Sequence, residues 1–257
     1  MKARRWVPGA IGISALIALW SLVSTTVLTA RDGVPTPWST MASMGHDGWS
    51  FYRPNLAHTG SVALTGYLVG NALAIGCALL VLLVPVLEGL VLSVATASYC
   101  LPIMAVGPLL SLLFDGDTPM AALSGLAVFF TTLVGTLLGL RSAGQTELDL
   151  VRAHGGGRWQ QLLRVRLVAA LPSTLAALRV AAPAALLGAV IGEYLGRVTD
   201  GLGVAMIVSE QQLDVARTWA IALVCGALAG AAYGVTAVVE RLVVPWAREA
   251  GTGGGAA

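Results

Sequence analysis

The 257 residues are 56% hydrophobic and only 11% charged, with a net charge of +2 and a mean hydropathy of +0.81. Soluble domains carry roughly 25% charged residues, so one water-soluble core is excluded and a bilayer is the natural solvent. The small net charge gives no footing for nucleic-acid binding.

About 20 apolar residues are needed to cross the hydrocarbon layer. The chain holds six such segments, which predict an all-α, polytopic fold. The first is Val7–Ala30, preceded by Lys2, Arg4 and Arg5. Its apolar run exceeds the 7–15 residues of a signal-peptide core, and Ala30-Arg31-Asp32 is a poor cleavage site, so it reads as a retained helix. The second is Leu56–Val86. The third, Gly89–Phe114, contains Pro102 and Pro108, which are expected to kink it. The fourth is Met120–Leu140, the fifth Leu171–Leu195 with Pro183 inside, and the sixth Thr218–Val239.

Basic residues orient the bundle. With the N-terminus in the cytoplasm, Lys2, Arg4, Arg5, Arg141, Arg152, Arg158, Arg164, Arg166, Arg241 and Arg248 fall inside. Arg31, Arg53, Arg197 and Arg217 fall outside, with Arg179 inside the fifth helix. Both termini are then cytoplasmic. Two outer loops are long enough to carry structure. Arg31–Asn55 holds Trp38, Trp49, Phe51 and Tyr52, expected at the membrane interface. Arg197–Arg217 carries an amphipathic stretch ending at Leu213. The glycine-rich tail 251–257 is expected to be disordered.

The informative stretch is the inner loop 141–170. Glu147–His154 reads as a short helix, Gly155–Gly157 ends it, and Arg158–Val168 leads into the fifth span. Leu150, Val151, Leu162, Leu163 and Val165 give these pieces an apolar side. Such a segment lies on lipid or fits a groove on a partner. Cys77, Cys100 and Cys225 sit apart in apolar runs, and His46, His58 and His154 are scattered, so no metal or redox motif is present in the sequence.

Asp149-Leu-Val-Arg-Ala-His-Gly155, followed by Gly-Gly-Arg158-Trp159-Gln160, resembles the EAA loop of the permease subunits of ABC importers. Asp149 stands at the Glu position, Leu150-Val151 at the Ala pair, and Gly155, Val165 and Leu167 match. Val168 replaces a proline, with Leu171-Pro172 close behind. Pro102-Ile-Met-Ala-Val-Gly-Pro108, Gly188-Ala-Val-Ile-Gly-Glu193-Tyr-Leu-Gly196, and Leu213-Asp214 with Thr218-Trp219 resemble the nitrate, aliphatic-sulfonate and taurine branch.

The resemblance covers about Leu56–Trp246. It implies one permease domain over 1–250 with its core at 56–246, in the type I importer fold of a bacterial cytoplasmic (inner) membrane. It also implies a coupling loop at 141–170 that docks on a separate ATPase through Glu147, Asp149, Leu150, Val151, Gly155, Arg158 and Trp159. Gly155 would let the chain turn sharply, and Asp149 would favour the positive end of the helix dipole.

No Gly-x4-Gly-Lys-Ser/Thr occurs, so the chain lacks that means of cradling ATP phosphates. The expected reading is therefore a non-enzyme with no cofactor of its own, the partner ATPase binding ATP and Mg. Further expected partners are an extracytoplasmic substrate-binding protein, a second permease subunit (a copy or close relative) and membrane lipid. The expected substrate is a small anionic or polar solute such as nitrate, sulfonate or taurine.

Polar or breakable positions within spans are candidates for the substrate path: Asn71, Tyr99, Pro102, Pro108, Ser111, Thr131, Thr132, Pro183 and Glu193. Glu193, near the outer end of the fifth span, is either a gate element or an interfacial residue. The alternatives are a secondary transporter or channel working without an ATPase, and a membrane-embedded enzyme. The first would show internal repeats or a row of intramembrane charges. The second has only the weak hint of His46-Asp47 and His58.

Overall fold

The computed structural model describes residues 7–26, 33–196 and 198–246, and every regular element among them is helical. Ten α-helices follow in order: α1 Val7–Thr26, α2 Pro37–Leu83, α3 Glu88–Cys100, α4 Ile103–Leu113, α5 Thr118–Arg141, α6 Gln145–Ala153, α7 Arg158–Gln161, α8 Leu167–Leu195, α9 Leu202–Gln211 and α10 Val215–Val243. A 3-10 turn (Pro85–Leu87) precedes α3, and a π-helical segment (Leu162–Arg166) joins α7 to α8. The expected tail 251–257 lies outside the described residues.

Four helices among the described residues are long and apolar enough to cross a membrane: Pro37–Leu83, Thr118–Arg141, Arg158–Leu195 and Val215–Val243. The third expected span is not one rod. It is the pair Pro85–Cys100 and Ile103–Leu113, bent by 99°. The cause is local. Pro102 lacks an N–H and disfavours helical geometry at the residue before it. Leu101 accordingly takes an extended conformation (ψ 127°), and α4 restarts after Pro102. Pro108 stays inside α4. The first expected span is helical over Val7–Thr26, and its remaining residues lie outside the described set.

Two further expectations need correction. The stretch 31–55, read as a loop, is helical from Pro37 onward and merges with α2, interrupted only at Gly48 (φ 68°). Tyr52, read as interfacial, is buried, whereas Trp38 and Trp49 are exposed.

The chain forms two compact units, Met1–His58 with Thr199–Gly226 and Thr59–Val198 with Ala227–Ala257. The first is held by specific contacts. Trp20 stacks on Trp219 with ring centroids 5.6 Å apart. The Arg217 guanidinium grips Asp47 at both carboxylate oxygens, Nε lying 3.0 and 2.9 Å from them and Nη2 adding a further bond. Arg217 also lies over the Phe51 ring. The Asn55 side-chain oxygen accepts the Gly201 N–H at 3.0 Å.

In the second unit α5 and α8 pack along their length. Several of the contact residues are small, Gly135 against Ala177 and Gly139 against Ala170, because lipid tails are as apolar as leucine and close packing of backbones favours association in a bilayer. Ala74, Ala78, Leu133, Leu137, Leu140 and Ala170 form one buried cluster, and Val128, Ala181 and Ala185 another. Gly188 marks one close fit: a Cβ there would lie 2.7 Å from Ser124 Cα.

Candidate functional site

The polar segment between α5 and α8 is built from its two ends inward. At the end of α5, Arg141 pairs with Glu88 at 2.6 Å, and Ser142 Oγ donates to the Gly139 carbonyl at 2.8 Å. The chain then starts α6 at Gln145, two residues before the expected start. Glu147 therefore occupies the first turn, where its charge meets the helix dipole. Asp149, expected in that role, sits further along and pairs instead with Arg152 at 3.0 Å.

One residue, Leu148, is 2% exposed and anchors α6. It is not among the apolar positions singled out from the sequence. Leu150 and Trp159 are each 62% exposed, and Glu147, Asp149 and Arg158 are exposed as well, with Val151 half-buried. The segment thus presents two large apolar side chains among charges at a place rich in polar backbone.

The end of α6 is a Schellman turn. Gly156 N–H donates to the Val151 carbonyl at 2.8 Å, and Gly155 N–H to the Arg152 carbonyl at 2.9 Å. That pattern places Gly155 in the left-handed region, and its φ is 76°. Nothing lies within 4 Å of a Cβ at Gly155, so the requirement there is purely conformational. At Gly156 the requirement is steric, since a Cβ would come 2.7 Å from the Val151 carbonyl oxygen. His154 adds a contact from its Nδ1 to the Leu150 carbonyl at 2.9 Å.

The expected path residues take part in several separate contacts. Asn71 and Thr132 meet, the threonine hydroxyl donating to the amide oxygen at 2.5 Å. Tyr99 is exposed and stacks on Phe130, beside Thr131, with centroids 4.7 Å apart. Ser111 Oγ donates to the Gly107 carbonyl within α4, and Pro102 is exposed at the break. Glu193 is 1% exposed and accepts a bond from Thr59 Oγ1 at 2.9 Å. Glu193 is thus a buried carboxylate, because α8 turns it toward α2.

One concavity on the described spans lies elsewhere. A groove of about 630 Å³ runs between α2 and α5, lined by Ser61, Thr65, Gly66, Gly70, Asp117, Thr118 and Phe129 among others. None of the six path candidates Asn71, Tyr99, Pro102, Ser111, Thr131 and Glu193 lines it. The signal present in the sequence was Ser61-x3-Thr65 over Gly66-x3-Gly70, which puts hydroxyls and bare backbone on adjoining faces of one helix. Among the described residues no group of three or more His, Cys, Asp or Glu side chains could hold a metal.

Residues 70–249 match the family described as binding-protein-dependent transport system inner membrane component. A probable ABC transporter permease protein of Haemophilus influenzae is 29% identical over 87% of this chain and 91% of its own length. The riboflavin transport system permease protein RibX of Chloroflexus aurantiacus is 30% identical over 62% of this chain and 60% of its own length. The formylaminopyrimidine transport permease protein ThiX of Halalkalibacterium halodurans is 26% identical over 91% and 93% respectively. With several long apolar helices and a family match covering most of the sequence, the chain belongs to the inner-membrane permeases of ABC transporters and is a multi-pass membrane protein.

Proposed function

We propose that this chain forms part of a solute-uptake pathway and is driven by a separate ABC ATPase that docks on α6 and α7. The observation that carries this reading is the exposed pair Leu150 and Trp159 on either side of the rigid glycine turn. A surface of that kind has the chemistry of a buried interface centre with a charged rim. Leu150 and Trp159 would enter the cleft, Glu147, Asp149 and Arg158 would face charges of opposite sign, and Gly155 would fix the angle between the two helices. ATP and Mg belong to the partner.

In this reading six spans carry the chain across the membrane, with both ends in the cytoplasm. A second permease subunit closes the path, and an extracytoplasmic binding protein delivers the solute. The groove between α2 and α5 is this chain's share of the wall. The solute is a small polar organic molecule or anion. Relatives named for riboflavin and formylaminopyrimidine, and one from Bacillus subtilis named for aliphatic sulfonates, bracket that range.

The test is retention of the ABC ATPase through affinity purification of the membrane complex. Gly155→Glu, or deletion of 149–158, leaves the protein inserted and loses the ATPase. Leu150→Ala with Trp159→Ala weakens retention by about 2 kcal/mol or more, roughly thirty-fold. A deletion variant that keeps its ATPase as the wild type does would overturn the docking assignment.

A further inference from the structure

Arg179 is a charge that neither the docking surface nor the groove uses. It lies on α8, within the helical stretch Arg158–Leu195 that includes the π-helical segment Leu162–Arg166. Twenty residues of helix separate it from Trp159, a rod of about 30 Å. Its Nη1 donates to Glu240 Oε2 at 2.8 Å, and its guanidinium carbon lies 5.2 Å from the centre of the Tyr233 ring. Both partners are on α10.

Another contact of α10 is of a different kind: Leu228 and Ala229 pack on the apolar cluster of Val62, Ala63, Met120, Leu186 and Ala189. Apolar contacts of that sort are non-directional and tolerate sliding. An ion pair with its cation over an aromatic face fixes both distance and angle. Removing one partner would also leave an uncompensated charge in a poorly solvated place. The Nε of Arg179 is buried and has no hydrogen-bond partner among the described residues. That edge of the guanidinium is turned away from the surface, while the side chain as a whole is 33% exposed.

We propose that the Arg179–Glu240 pair is the positioning tie through which a displacement of α8 reaches α10. The inference rests on the reading that an ATPase drives this chain through α6 and α7. A push at the Trp159 end tilts or slides the α8 rod. The apolar packing of Leu228 and Ala229 lets α10 slip against its neighbours, while the Arg179–Glu240 contact makes α10 follow.

The experiment uses the complete complex with its ATPase in lipid nanodiscs, with Cys77, Cys100 and Cys225 replaced by serine. Spin labels are placed at Leu187 on α8 and Val235 on α10, both exposed. Pulsed electron resonance then reads the label separation without nucleotide and after ATP–vanadate trapping. The wild type changes its distance distribution on trapping. Arg179→Gln and Glu240→Gln each lose coordinated movement, broadening the trapped distribution into several distances. They retain the ATPase and its basal hydrolysis. The exchange Arg179→Glu with Glu240→Arg restores the single trapped distance. Either neutral variant suffices if the other fails to accumulate.

Trapped distributions that match the wild type in both neutral variants overturn the tie. So does an exchange that fails to restore, or a wild-type complex that traps nucleotide without any change in separation. Loss of the ATPase from the wild-type complex sinks the driving-subunit reading instead, and the tie with it.

Discussion

Two helix ends in this protein carry the same turn and solve it with different residues. At the end of α6, the left-handed position belongs to Gly155. At the end of α9, Asp214 N–H donates to the Ser209 carbonyl at 2.9 Å and Leu213 N–H to the Glu210 carbonyl at 3.0 Å. The hydrogen-bond pattern is identical, yet the left-handed residue is Leu213, with φ 57°. A leucine there costs about 1–2 kcal/mol relative to its preferred conformations. Its side chain is 84% exposed and recovers little through burial.

The surroundings explain how the second turn persists. Asp214 accepts the Arg217 N–H at 3.0 Å and so caps α10. Arg217 in turn grips Asp47, whose side chain is 2% exposed. The α9 turn is imposed by tertiary contacts, whereas the α6 turn is written locally in two glycines.

Breaking the tertiary side of that contrast has the largest expected effect. Arg217→Ala leaves the buried Asp47 carboxylate without its cation and costs about 3–5 kcal/mol, read as a loss of thermal stability in detergent. Gly156→Ala comes next, because its methyl meets the Val151 carbonyl rather than open space; a cost of about 1–3 kcal/mol is expected for such overpacking, visible as faster hydrogen exchange across α6. Gly155→Ala costs about 1–2 kcal/mol from the left-handed conformation alone and shows in the same exchange measurement. Leu213→Gly is the smallest and has the opposite sign. It relieves the strain at the expense of a more flexible unfolded chain, giving a net gain of about 0.5–1 kcal/mol in thermal stability. If Leu213→Gly were destabilising by more than that, the exposed leucine would be making a contact that the turn geometry does not reveal.

The same contrast shows what the sequence made legible. Apolar runs located α5, α8 and α10 to within a few residues, since span length is set by the bilayer and needs no partner. Gly155 was readable because its requirement is local. The break at Leu101–Pro102 was half readable: proline announces a disturbance, but the 99° bend depends on packing around it. The helix through 37–55 was missed because its polar residues keep it from reading as an apolar span, and Gly48 does interrupt it, with φ 68°. Asp47 and Arg217 lie 170 residues apart, and nothing in either neighbourhood names the other. Glu193 was noticed, but its burial depends on Thr59 on a different helix. The groove was missed because it belongs to the crossing of α2 and α5 and to neither helix alone.

The π-helical segment Leu162–Arg166 sets a phase as well as joining two helices. A π turn accommodates one residue more than an α turn, so whatever precedes it is rotated relative to α8 by about 100°, the angle of a single helical residue. Deleting one residue there would restore an ordinary helix and leave Trp159 near its present bearing around the α8 axis, whereas keeping every residue in α geometry would swing it by about 100°. The direction in which the exposed α6–α7 surface faces is thus kept by letting one surplus residue bulge.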